Sequence, residues 1–100
     1  MSSTDTIAAI ATAPGKAGVA VVRVSGGEAF AIASTLTRRE ICSRGMYYAK
    51  IYAPEIIDDC VVLAFEAPHS YTGEHVVEFQ GHGGAVTPRR ILEACFAAGA

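Results

Sequence analysis

Apolar positions along the chain recur at two periods, and the switches between them outline the elements. Residues 19–25 (Val-Ala-Val-Val-Arg-Val-Ser) are almost purely β-branched and predict the clearest strand. A shorter strand is predicted ahead of it over residues 6–12, with a loop over 13–18 punctuated by Pro14-Gly15. Gly26-Gly27 ends the second strand. Ala29, Ile32, Ala33 and Leu36 then fall at helical spacing and predict a helix over residues 28–37. Glu28 stands at its start, where the helix dipole favours a carboxylate. Residues 38–44 are a polar connection, and residues 46–53 alternate aromatics as a strand does. Pro54-Glu55 begins a turn, Asp58-Asp59 opens an apolar strand over 60–66, and residues 67–73 turn again. A fifth strand is predicted over 75–80. Gly81-His82-Gly83-Gly84 then leads into a helix from about 85 to 98. Pro88 fits only its first turn, which sets the start between residues 85 and 87, and Gly99 fits its C′ position.

The predicted order is β-β-α-β-β-β-α. Strands dominate, and two helices are available to cover one face of a mixed or antiparallel sheet of about five strands. This is an α+β two-layer domain. One hundred residues make a single small domain that buries a little over ~60% of its unfolded surface. Yet 51% of the residues are apolar and 18% charged, which leaves apolar surface for a partner or for further chain to cover. The formal net charge of −2 offers no basic field for gripping nucleic acid, so this segment is not expected to be the main grip on an RNA. The first residues lack the basic and apolar regions of a secretory signal, and no apolar run reaches a membrane span. Cys42, Cys60 and Cys95 are an odd number without C-x-x-C spacing. They read as reduced thiols of a cytoplasmic protein, with neither a metal site nor a disulfide framework.

Candidate chemistry is sparse. Gly15-Lys16 suggests the end of a phosphate-binding loop, but Ile10 and Ala17 stand where that motif needs Gly and Ser or Thr. Alternation is more informative. One face of the second strand carries Val19, Val21, Arg23 and Ser25. One face of the fifth carries Val76, Glu78 and Gln80. Arg23 and Glu78 therefore either pair across the sheet as a structural ion pair or address one polar ligand. His82, in a glycine-rich turn, reads first as a structural hydrogen-bonder and second as a base or ligand. Residues 70–74 form a turn in which Gly73 supplies a positive φ and the hydroxyls bond local backbone.

Taken together these residues resemble the N-terminal domain of the TrmE, or MnmE, family of tRNA modification GTPases. The resemblance begins at Asp5-Thr6-Ile7-Ala8-Ala9 and passes through Pro14-Gly15-x-x-Gly18-Val19 and Val22-Arg23-Val24-Ser25-Gly26. It is strongest at Pro68-x-Ser70-Tyr71-Thr72-Gly73-Glu74, Val77-Glu78 and Gly81-His82-Gly83-Gly84.

The resemblance implies a fold like the tetrahydrofolate-binding domain of aminomethyltransferase-type proteins. It implies binding of 5-formyltetrahydrofolate or a related reduced folate, and homodimerisation. Arg23 matches the family's folate-contacting arginine, and Glu78 the glutamate that follows Thr-Gly-Glu. A pterin offers two parallel N–H donors on one edge, which a fixed carboxylate can accept together. Glu78 is thus expected on the pterin edge and Arg23 in support; no catalytic or metal-binding residue is expected. The family's GTPase and helical domains, which hold GTP with Mg and K ions, would lie outside this chain. The chain would span residues 1–100 of a folate-binding and dimerisation domain, cut short at its C-terminal end and not catalytic alone. In the family this domain continues into a P-G-E-F and an N-G-K segment, whose lysine is a further folate contact. His75 replaces the family's usual Asp, and no role is transferred to it. The full protein would act with a GidA/MnmG-type flavoprotein on the wobble uridine of tRNA. The alternative is a purely structural dimerisation module without folate.

Overall fold

The alternating segments become strands and the two helically spaced segments become helices. The computed structural model describes residues 5–11, 18–70, 72–82 and 86–100. Over these the chain runs β1 (Ile7–Ile10), β2 (Val19–Ser25), α1 (Ala29–Thr37), β3 (Gly45–Tyr52), β4 (Ile56–Phe65), β5 (Val76–His82) and α2 (Thr87–Ala97). The strands form one sheet of order β1-β2-β5-β4-β3, antiparallel at every pairing. The element order and the α+β class are those the sequence predicts. The loop bearing Pro14, Gly15 and Lys16, together with Tyr71, Gly83 and Gly84, lies outside the described residues.

Period-two geometry sends one set of side chains under the helices. Val22 and Val24 of β2, Cys60 and Val62 of β4, Ile51 of β3, and Val77 and Phe79 of β5 pack against Ile32 and Leu36 of α1 and Ile91 and Cys95 of α2. The complementary set faces away from the helices: Arg23 and Ser25 of β2, and Glu78 and Gln80 of β5. This uncovered face carries the polar groups that the sequence singles out.

The helix ends follow local rules. Glu28 is the N-cap of α1, but its side chain makes no capping bond; its N–H donates to Thr6 Oγ1 at 3.0 Å. Arg38 closes α1 at φ 54°, a left-handed conformation that costs a residue with Cβ about 1 kcal/mol. Its guanidinium lies 4.2 Å from the Tyr52 ring centroid and donates to the Pro54 carbonyl at 2.9 Å, which holds it there. Pro88 sits in the first turn of α2, as expected. At the other end the Gly99 N–H bonds the Phe96 carbonyl at 3.1 Å and the Ala100 N–H bonds that of Cys95 at 3.0 Å. With Gly99 at φ 123°, this is a Schellman termination.

The strand boundaries that bear on the site are the start of β4 and the end of β5, and both differ from expectation. β4 begins at Ile56 rather than residue 60, so Asp58 and Asp59 lie inside the strand and not in a turn. A carboxylate is tolerated there because its oxygens are hydrogen-bonded, as described below. β5 runs past residue 80, pairing Gly81 with Ala20 and His82 with Val19. Gly81 is required at this point. A Cβ on it would stand 2.3 Å from Asp58 Oδ2 and 2.8 Å from Cys60 Sγ. Gly81→Ala is expected to destabilise the protein by about 1–3 kcal/mol, the usual cost of overpacking; a denaturant unfolding curve unchanged by the substitution would contradict this.

Candidate functional site

The pairing of β2 with β5 places Arg23 directly opposite Glu78, and β4 places Leu63 on Glu78's other side. The two predicted site residues are therefore brought together. Arg23 Nε donates to Glu78 Oε2 at 2.9 Å, and its Nη2 lies 2.7 Å from the same oxygen. Among the described residues the second oxygen, Oε1, receives a single long bond of 3.4 Å, from Gln80 Nε2. The Glu78 side chain is 8% exposed and that of Arg23 37%. The carboxylate is thus fixed and charge-balanced, with one oxygen weakly engaged. That arrangement can hold the sheet together, and it can also accept a pair of N–H donors.

One end of this row is built by the residue 72–75 turn. Ser25 Oγ shares a hydrogen bond of 2.9 Å with Thr72 Oγ1 and donates to Glu74 Oε1 at 3.3 Å. The Gly26 N–H bonds the His75 carbonyl at 2.9 Å. His75 Nδ1 accepts the Ala67 N–H at 3.0 Å, and its ring stacks on Phe30 with centroids 4.5 Å apart. Ser70 Oγ donates to the Glu74 carbonyl. The turn is therefore fastened to both β2 and α1.

The other end holds a group that sequence reasoning missed. Asp58, with its side chain 6% exposed, accepts the backbone N–H groups of Asp59 (Oδ1, 2.8 Å) and His82 (Oδ2, 2.8 Å). Its Oδ1 also lies 2.5 Å from His82 Nδ1. The hydrogen bond that the ring donates to Asp58, then the charge of Asp58, raises the affinity of the His82 ring for a proton above the ordinary value of 6.5. The ring is 78% exposed, so Nε2 is left to solvent. His82 is thus first a structural hydrogen-bonder, as read, but in a strand and against a buried carboxylate. The missed signal was an acid directly ahead of an apolar strand, which sequence alone assigns to a turn.

Two cavities lie along the uncovered face. One, of about 660 Å³, is lined by Val19, Tyr48, Lys50, Val61, Gln80 and His82 among others. The second, of about 650 Å³, includes Arg44, Met46, Leu63, Phe65, Glu66 and His69. Arg23 and Glu78 line neither. Register puts Glu78 opposite Leu63 of the second cavity and next on its face to Gln80 of the first. The cysteines add no reactive centre in the core: burial pushes the thiols of Cys60 and Cys95 up to about 12. All three cysteines are free, and Cys42 alone is exposed.

Residues 6–100 match the family described as GTP-binding protein TrmE N-terminus. The chain belongs to this family. A TrmE-family relative from Bordetella petrii, named tRNA modification GTPase MnmE, is 52% identical over 96 residues, covering 94% of this chain and 21% of the relative. Its counterpart from Stutzerimonas stutzeri is also 52% identical, over 91% of this chain and 20% of the relative. The Acinetobacter baumannii AYE protein of the same name is 48% identical over 100% of the chain and 23% of its own length. The chain therefore spans about a fifth of the curated relatives it matches. Among the described residues, no helix of this TrmE N-terminal segment is long and apolar enough to cross a membrane.

The His82–Asp58 contact has a signed pH dependence. A ring whose affinity for the proton is raised on folding contributes its stability in full below the ordinary value of 6.5 and loses it as the pH rises through the folded-state value. The gap in urea midpoint between wild type and His82→Gln is therefore expected to narrow from mildly acidic to alkaline buffer; a constant gap would show that the ion pair adds nothing.

Proposed function

We propose that this chain is the folate-binding and dimerisation segment of a tRNA modification GTPase, with Glu78 reading the pterin edge of a reduced folate such as 5-formyltetrahydrofolate. The observation that carries this is the state of Glu78: a fixed, buried carboxylate, balanced by Arg23, with Oε1 held among the described residues by a long 3.4 Å contact from Gln80. A ligand's paired N–H groups can displace that weak contact without breaking the ion pair. The turn of Ser25, Thr72 and Glu74 closes one side of the row, and aliphatic Leu63 supports the other. The bound folate serves as one-carbon donor for an aminomethyl-type modification of the wobble uridine of tRNA. GTP, with Mg and K ions, is held by domains beyond this chain. A GidA/MnmG-type flavoprotein is the partner, tRNA is engaged through that complex, and the setting is cytoplasmic. The names of the relatives support the tRNA-modifying and GTPase parts of this reading.

Apolar exposure supports homodimerisation. Ile7 on edge strand β1 is 65% exposed, and Met46 on edge strand β3 is 60% exposed. A small domain gains by covering such side chains with a second copy. The competing reading, a dimerisation module without folate, draws on the same Arg23–Glu78 pair, since that pair is satisfied without a ligand.

Titration of 5-formyltetrahydrofolate into wild type and Glu78→Gln separates the two. Loss of one charge-assisted contact is expected to weaken binding about tenfold to a hundredfold; equal affinity would remove Glu78 from the pterin edge. Analytical ultracentrifugation is expected to show a dimer, and a monomer persisting at high concentration would overturn the dimerisation reading.

A further inference from the structure

β5 carries its polar residues in a line. Glu78, Gln80 and His82 share one face, so Glu78 and His82 stand roughly 13 Å apart along the strand. Between them the cavity floor is apolar and partly aromatic, with Val61 opposite Gln80 and Tyr48 opposite Val61. At its far end two nitrogen groups, His82 and Lys50, line the same space. Asp58 engages Nδ1 of His82 and leaves the exposed Nε2 as the nitrogen that faces an incoming molecule. Among the described residues Lys50 is paired with Asp59, at 3.3 Å between two exposed side chains, and such a pair exchanges at little cost.

We propose that the His82 end of this face is a carboxylate subsite, where His82, positioned by Asp58, and Lys50 receive the glutamate tail of the folate whose pterin end Glu78 reads. This rests on the folate reading above and deepens it. The ligand's chemistry matches the row: paired N–H donors at one end, a flat aryl group in the middle and a carboxylate at the other end. Tyr48 offers the aryl group an aromatic neighbour in the cavity wall. The charged or titratable groups around His82 are Asp58, Asp59, Lys50, Tyr48 and Cys60. Asp58 favours the protonated ring, which then presents an N–H donor at Nε2. Asp59 opposes the incoming carboxylate, and Lys50 offsets it.

The test compares 5-formyltetrahydrofolate with 6-methyltetrahydropterin, which lacks the aryl-glutamate tail, on the full-length protein. Wild type is expected to bind the folate more tightly than the tetrahydropterin. His82→Gln and Lys50→Met should each weaken folate binding about threefold to tenfold, as for one exposed charge-assisted contact, and leave tetrahydropterin binding alone. On wild-type protein, the NMR titration of the His82 ring should move to higher pH with folate and stay in place with the tetrahydropterin. That measurement needs no substitution. Folate and tetrahydropterin binding alike, or folate binding with an unmoved His82 titration, would overturn the tail subsite and leave the pterin reading standing. If neither ligand binds, the folate reading fails and the tail subsite fails with it.

Discussion

The register between β2 and β5 is the constraint on which the rest depends. Arg23 faces Glu78 only because Val22 faces Phe79 and Val24 faces Val77 one step away. A slip of one residue would turn the charged pair into the helix-covered core and expose Val22 and Phe79. The apolar core and the polar row are therefore two sides of a single pairing decision. The helices reinforce it by occupying one face, which leaves the other to groups that must find partners within the sheet. The Arg23–Glu78 contact, set in mid-sheet, is the result.

The opposite end of the face depends on a long-range contact of a different kind. Asp58 belongs to a strand and points toward the helix side, yet its carboxylate crosses the bare backbone of Gly81 to meet the N–H and ring of His82. Without that crossing the buried acid would lose the N–H and ring of His82 as partners, and an under-satisfied buried charge is costly. The early start of β4 and the late end of β5 are thus coupled: each extra residue of strand is stabilised by the other.

Much of this was legible in the chain. The β-branched run of β2 and the alternation of β5 assigned Arg23 and Glu78 to the more polar faces of their strands, and the spacing of Ala29, Ile32, Ala33 and Leu36 located α1. The placement of Pro88 and Gly99 around α2 followed from backbone chemistry alone. What could not be read was partnership at a distance. Asp58 and Asp59 look like a turn because local sequence counts their charge and cannot see the backbone donor 24 residues away. Likewise His82 sits in glycine-rich company that suggests a loop, whereas pairing with Val19 holds it in the sheet. Tertiary hydrogen bonds overrode local propensity at both sites.

His75 and His82 bracket β5 and use the same ring nitrogen in opposite senses. Nδ1 of His75 receives a backbone N–H and must carry its lone pair there, so that ring's proton resides on Nε2. Nδ1 of His82 faces a carboxylate and is best served by bearing a proton. A falling pH reinforces the fastening at the His82 end. Along this single strand, the same imidazole nitrogen fastens one end as an acceptor and the other as a donor.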